Sequence, residues 1–326
     1  MHATAWRPTR RALISAAAAW PLAARPQGRF PQRAIVIVVP FGAGGIADLT
    51  ARAVAERMSA RLGQPVVIEN KPGAGSIVAS RAVAGAAPDG HTLLLMTNGH
   101  AVSVGLFKRL PYDPRTAFAP ITTLGRFDLG IFVDGASRWR TLGDWLADAR
   151  ARPGRLTVGT IAPGSTQHLA ARLFETTAGI DVLGVPYNGS PAVFTALHGG
   201  QVDTAVEILG PMLPQLQAGT VRALAVTGSA RFPGLPDVPT VAEAGVPGYE
   251  VSSWNALAAP AGTPADVVET LGDAARASIA DPALRTRLQA LGVRLEGSTP
   301  AALQALLASE IDRWGAVIRR AGIQPT

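Results

Sequence analysis

Between residues 34 and 98 the apolar positions follow two rhythms in alternation. Short, nearly continuous runs, AIVIVVP (34–40), PVVIEN (65–70) and HTLLLMTN (91–98), read as strands. Parallel strands covered on both faces need apolar side chains in succession. The stretches at 45–62 and 76–86 have helical spacing. The pattern then repeats. Strands are expected at 155–160, 182–187, 202–207 and 221–226, with helices at 165–179, 190–198 and 212–218. Ser165 or Thr166 is a natural N-cap for the first of these helices. Two doubly wound α/β units follow from this order. They are joined by two long apolar stretches, FAPITTLGRFDLGIFVD (118–134) and YEVSSWNALAAP (249–260). The expected fold is therefore α/β with two lobes, each a mainly parallel sheet flanked by helices, joined by two crossing strands at a hinge. Residues 27–124 and 250–326 form one lobe and 125–249 the other, after a leader at 1–26. The tail predicts helices at 264–279, 281–290 and 300–321 and a short strand at 293–295. In the last helix, Leu303, Leu306, Leu307, Ile311, Trp314, Val317 and Ile318 form a stripe expected to pack on the first lobe.

The first residues do not fit this pattern. Arg7, Arg10 and Arg11 precede the apolar run ALISAAAAWPLAA, and Ala23 and Ala24 suit a signal peptidase. The run is shorter than the ~20 residues needed to span a bilayer. TRRALIS loosely resembles a twin-arginine signal. Cleavage after Ala24 would lower the formal charge from +7 to +4. Hydrophobic residues make up 48% and charged residues 16%, enough for a large core. The absence of cysteine excludes disulfides, thiolate metal sites and a cysteine nucleophile. Basic residues are scattered, so no nucleic-acid partner is expected.

Three glycines, Gly42, Gly44 and Gly45, crowd the end of the first strand just before a helix. Gly42-x-Gly44-x-x-Ala47 satisfies a dinucleotide fingerprint, and Glu69 stands 22 residues after Ala47 as the ribose acid would. The bulky Pro40-Phe41 pair, the export signal and the turn-like Glu69-Asn70-Lys71-Pro72-Gly73 argue against it. A carboxylate suits the same loop. The first N–H groups of a helix lack internal partners, and the helix dipole adds positive charge. Gly44 and Gly45 are expected to offer bare N–H groups. Asp48, in the first turn, either balances the dipole or faces the ligand.

Other chemistry is weakly supported. Ser165, His168 and Asp203 could mimic a hydrolase triad, but no G-x-S-x-G elbow is present. A capping serine beside a packed or cleft-facing histidine is the simpler reading. The histidines at 2, 91, 100, 168 and 198 show no metal-ligand spacing, and no metal or cofactor is expected. Tyr187 follows the carboxyl end of a strand and is read as a cleft wall, with a core role as the alternative. Trp254, on the second crossing, is either core or cleft wall. PGAGS (72–76) is either an anion nest or a turn.

Taken together, IVVPFGAGGIADLTAR, VVIENKPGAGS, APDGHTLLLMTNGHAV, KRLPYDPRTAFAPIT, VPYNGSPAVFTALHGGQVD, DVPTVAEAGVPGYE and SSWNALAAPAGTP resemble the periplasmic solute-binding receptors of tripartite tricarboxylate transporters, the Bug proteins. The resemblance implies a periplasmic-binding-protein-like "Venus flytrap" that closes on a small organic carboxylate: a di- or tricarboxylate, an acidic amino acid or an aromatic acid. It implies a periplasmic, non-enzymatic monomer that serves membrane transporter subunits. The alternatives are an exported sensor for a membrane kinase, or an NAD(P)-linked oxidoreductase. In the family, main-chain groups and waters from two loops hold the ligand. Here the first loop corresponds to Phe41, Gly42, Ala43, Gly44, Gly45, Ile46 and Asp48. The second lobe supplies Ser165, Thr166 and His168 of GSTQH, and Pro186, Tyr187, Asn188 and Gly189 of PYNGS. Asp203 takes the family's acidic position in GGQVD. Thr97 and Asn98 would face the cleft, with Trp254 nearby. Gly42 and Asn188 depart from the family pattern. Gly42 stands in a loop that commonly reads FPAGG, and Asn188 where a Lys, Arg or other polar residue is frequent.

Overall fold

The computed structural model describes residue 2 and residues 30–73, 76–161, 165–187 and 189–325. The leader, apart from residue 2, and Asn188 lie outside the described residues. Strands β1 (Ile35–Val39), β2 (Val66–Asn70) and β3 (Thr92–Thr97) are parallel and are linked through helices α1 (Ile46–Leu62) and α2 (Ile77–Ala84). Ile35, Ile37 and Val39 pack into one helical layer while Val38 packs into the other, which is why the run is apolar without alternation.

Two helices emerge that the periodicity does not announce. Helix α3 (Asn98–Leu106) follows β3 without a break. Its sequence NGHAVSVGL holds two glycines and two valines, poor helix formers, so packing must supply its stability. Helix α4 (Leu142–Ala151) carries a capping box in which Thr141 Oγ1 accepts from Asp144 N–H and Asp144 accepts from Thr141 N–H.

Strand β4 (Phe118–Asp134) is 17 residues long and belongs to both lobes. The second lobe follows as β5 (Thr157–Ile161), α5 (Thr166–Ala178), β6 (Leu183–Tyr187), α6 (Ser190–His198), β7 (Thr204–Ile208), α7 (Leu209–Gln217) and β8 (Val221–Val226). The chain then returns through β9 (Ser252–Pro260), α8 (Ala265–Ile279), α9 (Pro282–Gln289), β10 (Val293–Leu295) and α10 (Pro300–Arg320). The sheet path is β2-β1-β3-β9-β4-β7-β5-β6, with β10 and β8 also pairing on β4. Within it β1–β3 and β5–β7 are parallel, and the crossing strands β4 and β9 are antiparallel to their neighbours. This is the two-lobed α/β architecture expected from the pattern.

The core is asymmetric about the sheet. On one face a single cluster runs through both lobes, from Val38 and Met96 to Trp145, Phe174 and Val206, and it contains Trp254 and Trp314. Helix α10 lies across it, packing on α3 and also on α5, so its stripe binds both lobes and not the first alone. On the other face the core divides into a cluster under α1, α8 and α9 and a separate one under α6 and α7.

At the junction, buried Asp128 of β4 accepts from Ser252 Oγ at 2.7 Å and from Arg294 Nη2 at 2.9 Å, tying β4 to β9 and β10. Burial pushes its carboxyl pKa up, opposed by the Ser252 hydrogen bond and the Arg294 charge. Nearby, Gly125 lies against β10 so closely that a Cβ would stand 2.7 Å from Arg294 O. Gly125→Ala should therefore destabilise the fold by about 1–3 kcal/mol through overpacking against backbone. Urea unfolding measures this, and unchanged stability would show that β10 yields freely.

Candidate functional site

The carboxyl ends of β1 and β3 meet those of β5, β6 and β7 at the junction of the lobes, where open α/β sheets bind ligands. Two contacts place them together. Asn98 Nδ2, at the start of α3, donates to Thr166 Oγ1, at the start of α5, over 3.3 Å. On the divided face, Gly210 of α7 abuts the turn between α9 and β10. A Cβ on Gly210 would stand 2.1 Å from Leu291 O and 3.3 Å from Ile46 Cδ1, and a Cβ on Gly292 would stand 2.9 Å from Gly210 Cα.

The glycine loop is organised by Asp48. Its side chain is 1% exposed, and it accepts from Gly44 N–H, Arg52 Nε and Asn70 Nδ2, each at 2.9 Å. Asn70 Nδ2 also reaches Phe41 O at 2.9 Å. Burial would raise the Asp48 pKa, but these hydrogen bonds and the Arg52 charge together bring it below the ordinary value. The expectation that Gly44 offers its N–H to a ligand is thereby revised, since that N–H is already spent on Asp48. Gly45, the N-cap of α1, has no side-chain cap and keeps its place before the unpaired first turn. Gly44 requires glycine because φ is +87°, whereas a Cβ on Gly42 would meet nothing within 4 Å. Phe41 is 43% exposed and Gly42, Ala43 and Gly45 are also exposed, so the loop is open to solvent. Glu69 is half exposed beside Lys71 Nζ, and it is Asn70 that serves the loop.

Thr97, Asn98 and Ser76 are buried at the carboxyl end of β3, and Thr97 Oγ1, Asn98 Oδ1 and Ser76 Oγ have no hydrogen-bond partner among the described residues. Asn255, paired with Thr97 across β3 and β9, is buried with both amide atoms unpartnered. Such concentrations of unsatisfied polar atoms are unusual in a folded interior and mark a polar site.

In the second lobe, Ser165 caps α5, accepting from His168 N–H at 3.1 Å. Gly189 caps α6 with φ 127°, a conformation only glycine adopts easily. Between these two helix starts lies Glu207, 0% exposed, at the end of β7. Its Oε2 accepts from Ser190 Oγ at 2.8 Å, Ile208 N–H at 3.1 Å and Gln167 Nε2 at 3.3 Å, while Oε1 has no partner among the described residues. Burial raises its pKa above the ordinary value, against the opposing pull of those hydrogen bonds. Glu207, Gln167, Ser190, Asn255 and Asn70 are not among the residues that motif reading singles out. The signal for Glu207 was one acid inside the apolar run TAVEIL.

Other expected residues lie elsewhere. Asp203 stands at the amino end of β7, accepting from Thr157 N–H and Oγ1 at 2.8 Å, a strand's length from the carboxyl ends. It braces β5 against β7, and a Ser165–His168–Asp203 triad does not assemble. His168 and Pro186 line a cavity of about 230 Å³ with Thr160, Arg172 and Gly184, on the α5 side of edge strand β6. Burial, and then the Arg172 charge, lower the His168 pKa. Tyr187 packs from the opposite face against the α6–α7 cluster. Trp254 is fully buried in the continuous core. Among the described residues no group of three His, Cys, Asp or Glu side chains could hold a metal ion.

Two measurements test this geometry. Asp48→Asn should cost about 1–3 kcal/mol at neutral pH by weakening hydrogen bonds to a buried charged group. Because the Asp48 pKa is depressed in the fold, the wild-type advantage should disappear only as pH falls below the ordinary 3.8. Glu207 has the opposite sign. The folded state holds its proton more tightly than the unfolded state, so wild-type stability should fall relative to Glu207→Gln as pH rises from 4.5. Melting curves of the pair across pH read the difference directly; a constant offset would show that Glu207 does not titrate differently in the fold.

Comparison with known proteins agrees with this architecture. A family model described as the tripartite tricarboxylate transporter family receptor matches residues 50–323. A Pseudomonas sp. (strain P51) protein from the tcbD-tcbE intergenic region is 39% identical over 290 residues, covering 89% of this chain and 86% of its own. BugT of Bordetella pertussis is 34% identical, covering 90% of each chain. Among solved structures, an R. palustris protein with adipate is 37% identical with a TM-score of 0.82, covering 91% of this chain and 100% of that one. The periplasmic binding protein BugD is 34% identical with a TM-score of 0.80 and the same coverage. MatC from Rhodopseudomonas palustris with bound malate is 35% identical with a TM-score of 0.77, covering 89% and 100%. With the family match extending from α1 to beyond α10, and relatives this similar over nearly their whole length, the chain belongs to the tripartite tricarboxylate transporter receptor family and is a solute-binding protein of the Bug type.

Proposed function

We propose that this protein captures a small organic carboxylate in the periplasm and delivers it to the membrane subunits of a tripartite tricarboxylate transporter. The observation that carries this reading is the meeting of the Asp48-braced glycine loop with the helix starts of α5 and α6. All three present main-chain N–H groups at helix amino ends, a setting that favours anions without a fixed cation. The solved relatives with adipate and with malate support a dicarboxylate as the first ligand class to test. The lobes divide at 27–124 with 250–326 and at 125–249, and they close about the β4–β9 crossing. Gly45, Ile46, Thr97, Asn98, Thr166 and Gly189 line the closed site.

Isothermal titration of the purified protein against dicarboxylates, tricarboxylates, acidic amino acids and aromatic acids should find a ligand among them; failure with every class would refute the reading. Closure adds a second expectation. A Cβ at Gly210 collides with Leu291 backbone across the lobes, so Gly210→Ala should weaken binding roughly tenfold or more, equivalent to about 1.4 kcal/mol. Undiminished affinity in that variant would show that closure does not need this contact.

A further inference from the structure

Glu207 presents a problem of charge. It is wholly buried, and the three donors to its Oε2 are a serine hydroxyl, a backbone N–H and a glutamine amide. No cation is among them. Its Oε1 is buried without any partner among the described residues. An ionised carboxylate in that setting leaves half its charge unsolvated, a costly arrangement. Moreover, two of its partners belong to the ligand loops. Gln167 follows Thr166 in GSTQH, and Ser190 follows Gly189 in PYNGS. A ligand carboxylate seated on those loops would place a second negative charge beside the first, and adjacent carboxylates do not both ionise readily.

We propose that Glu207 takes up a proton when the carboxylate ligand binds, its Oε1–H donating toward the ligand while Oε2 accepts from Gln167 and Ser190 and so positions both loops. This rests on the carboxylate-receptor reading above. Among the described residues the surrounding elements hold no rival for the role. On α5, Arg172 pairs with Glu175, and His168 faces the cavity beside Pro186. On α6, His198 pairs with Asp134 of β4. On β4, Asp128 is engaged by Arg294 and Ser252, and Arg126 by Glu296. On β7, Asp203 is bound to Thr157 at the far end of the strand. Strand β5 and helix α7 carry no titratable side chain, and β6 carries only Tyr187. The burial-raised pKa of Glu207 places its proton exchange nearer to neutral pH than an ordinary glutamate's.

The consequence is a receptor whose grip weakens as pH rises. Binding that consumes one proton loses up to roughly tenfold in affinity per pH unit once the free carboxyl ionises. Glu207→Gln keeps an acceptor for Ser190 and Gln167 and a fixed donor in place of the proton. Titrations of both proteins with adipate and with malate from pH 6 to 9 test this, since the ligand's own ionisation is common to both. Wild-type affinity should fall with pH and the variant's should stay flat. Equal slopes would overturn the proposal. For the wild type alone, binding heats in buffers of different ionisation enthalpy count the protons taken up. Uptake of a substantial fraction of one proton supports the assignment, and zero at every pH overturns it even if the variant fails to fold. If the wild type binds neither probe nor any other carboxylate at any pH, the receptor reading falls and this inference with it, an outcome distinct from binding without proton uptake.

Discussion

Strand β4 is hydrogen-bonded along both edges, to β9 and β10 in its first half and to β7 and β8 in its second. A buried backbone must have its N–H and C=O groups paired, so a strand shared in this way holds two sheets in one register. Everything near the cleft inherits its position from that ladder. The Asp128–Ser252–Arg294 link fastens β9 and β10 to β4 at the point where the sheet passes from one lobe to the other. The carboxyl ends of the parallel strands consequently face each other across the junction.

The divided core makes this arrangement more than a scaffold. One face of the sheet is bridged by α10 and a cluster that runs unbroken beneath both lobes. The opposite face has two separate clusters, drawn together where Ile208 packs against the first of them and where the backbone approaches closely at Gly210 and Gly292. Relative motion about the shared strands costs less on the face without a continuous apolar layer. Among the described residues, unpartnered buried polar atoms on Ser76, Thr97, Asn98, Asn255 and Glu207 lie around the same junction, while others, such as those of His91 and Trp145, lie away from it. Elsewhere in the fold carboxylates are braced by arginines or caps, as Asp48, Asp128 and Asp144 are. Among the described residues Glu207 has no such cation, and it sits between two helix starts with three neutral donors.

Much of the architecture was legible in the order of residues. Strand runs such as Ile35–Val39 and Leu93–Met96 are buried on both sides, and burial of that kind leaves an unmistakable apolar signature. The long helices α5, α8 and α10 are amphipathic, and their periodicity survives in any context. The two crossing stretches stood out because an apolar segment of that length cannot be a solvated loop. Helix α3 left no comparable signal. Its residues are poor helix formers stabilised by α10, which lies some 200 positions later in the chain. Helix α4 was not expected either; its one local signal is the reciprocal cap that Thr141 and Asp144 form.

By itself the sequence determined the class of the fold and the family, because those properties rest on local spacing and on motifs a few residues long. Only the tertiary structure decided what each side chain in those motifs does. Gly44 donates to Asp48 because the loop folds back on its own helix, and Asp203 braces the wrong end of its strand for a ligand. Glu207 became central because β7 carries it between two helix starts that are distant in the chain. Hydrogen bonding and desolvation depend on neighbours in space, and those neighbours exist only once the sheet has closed around β4.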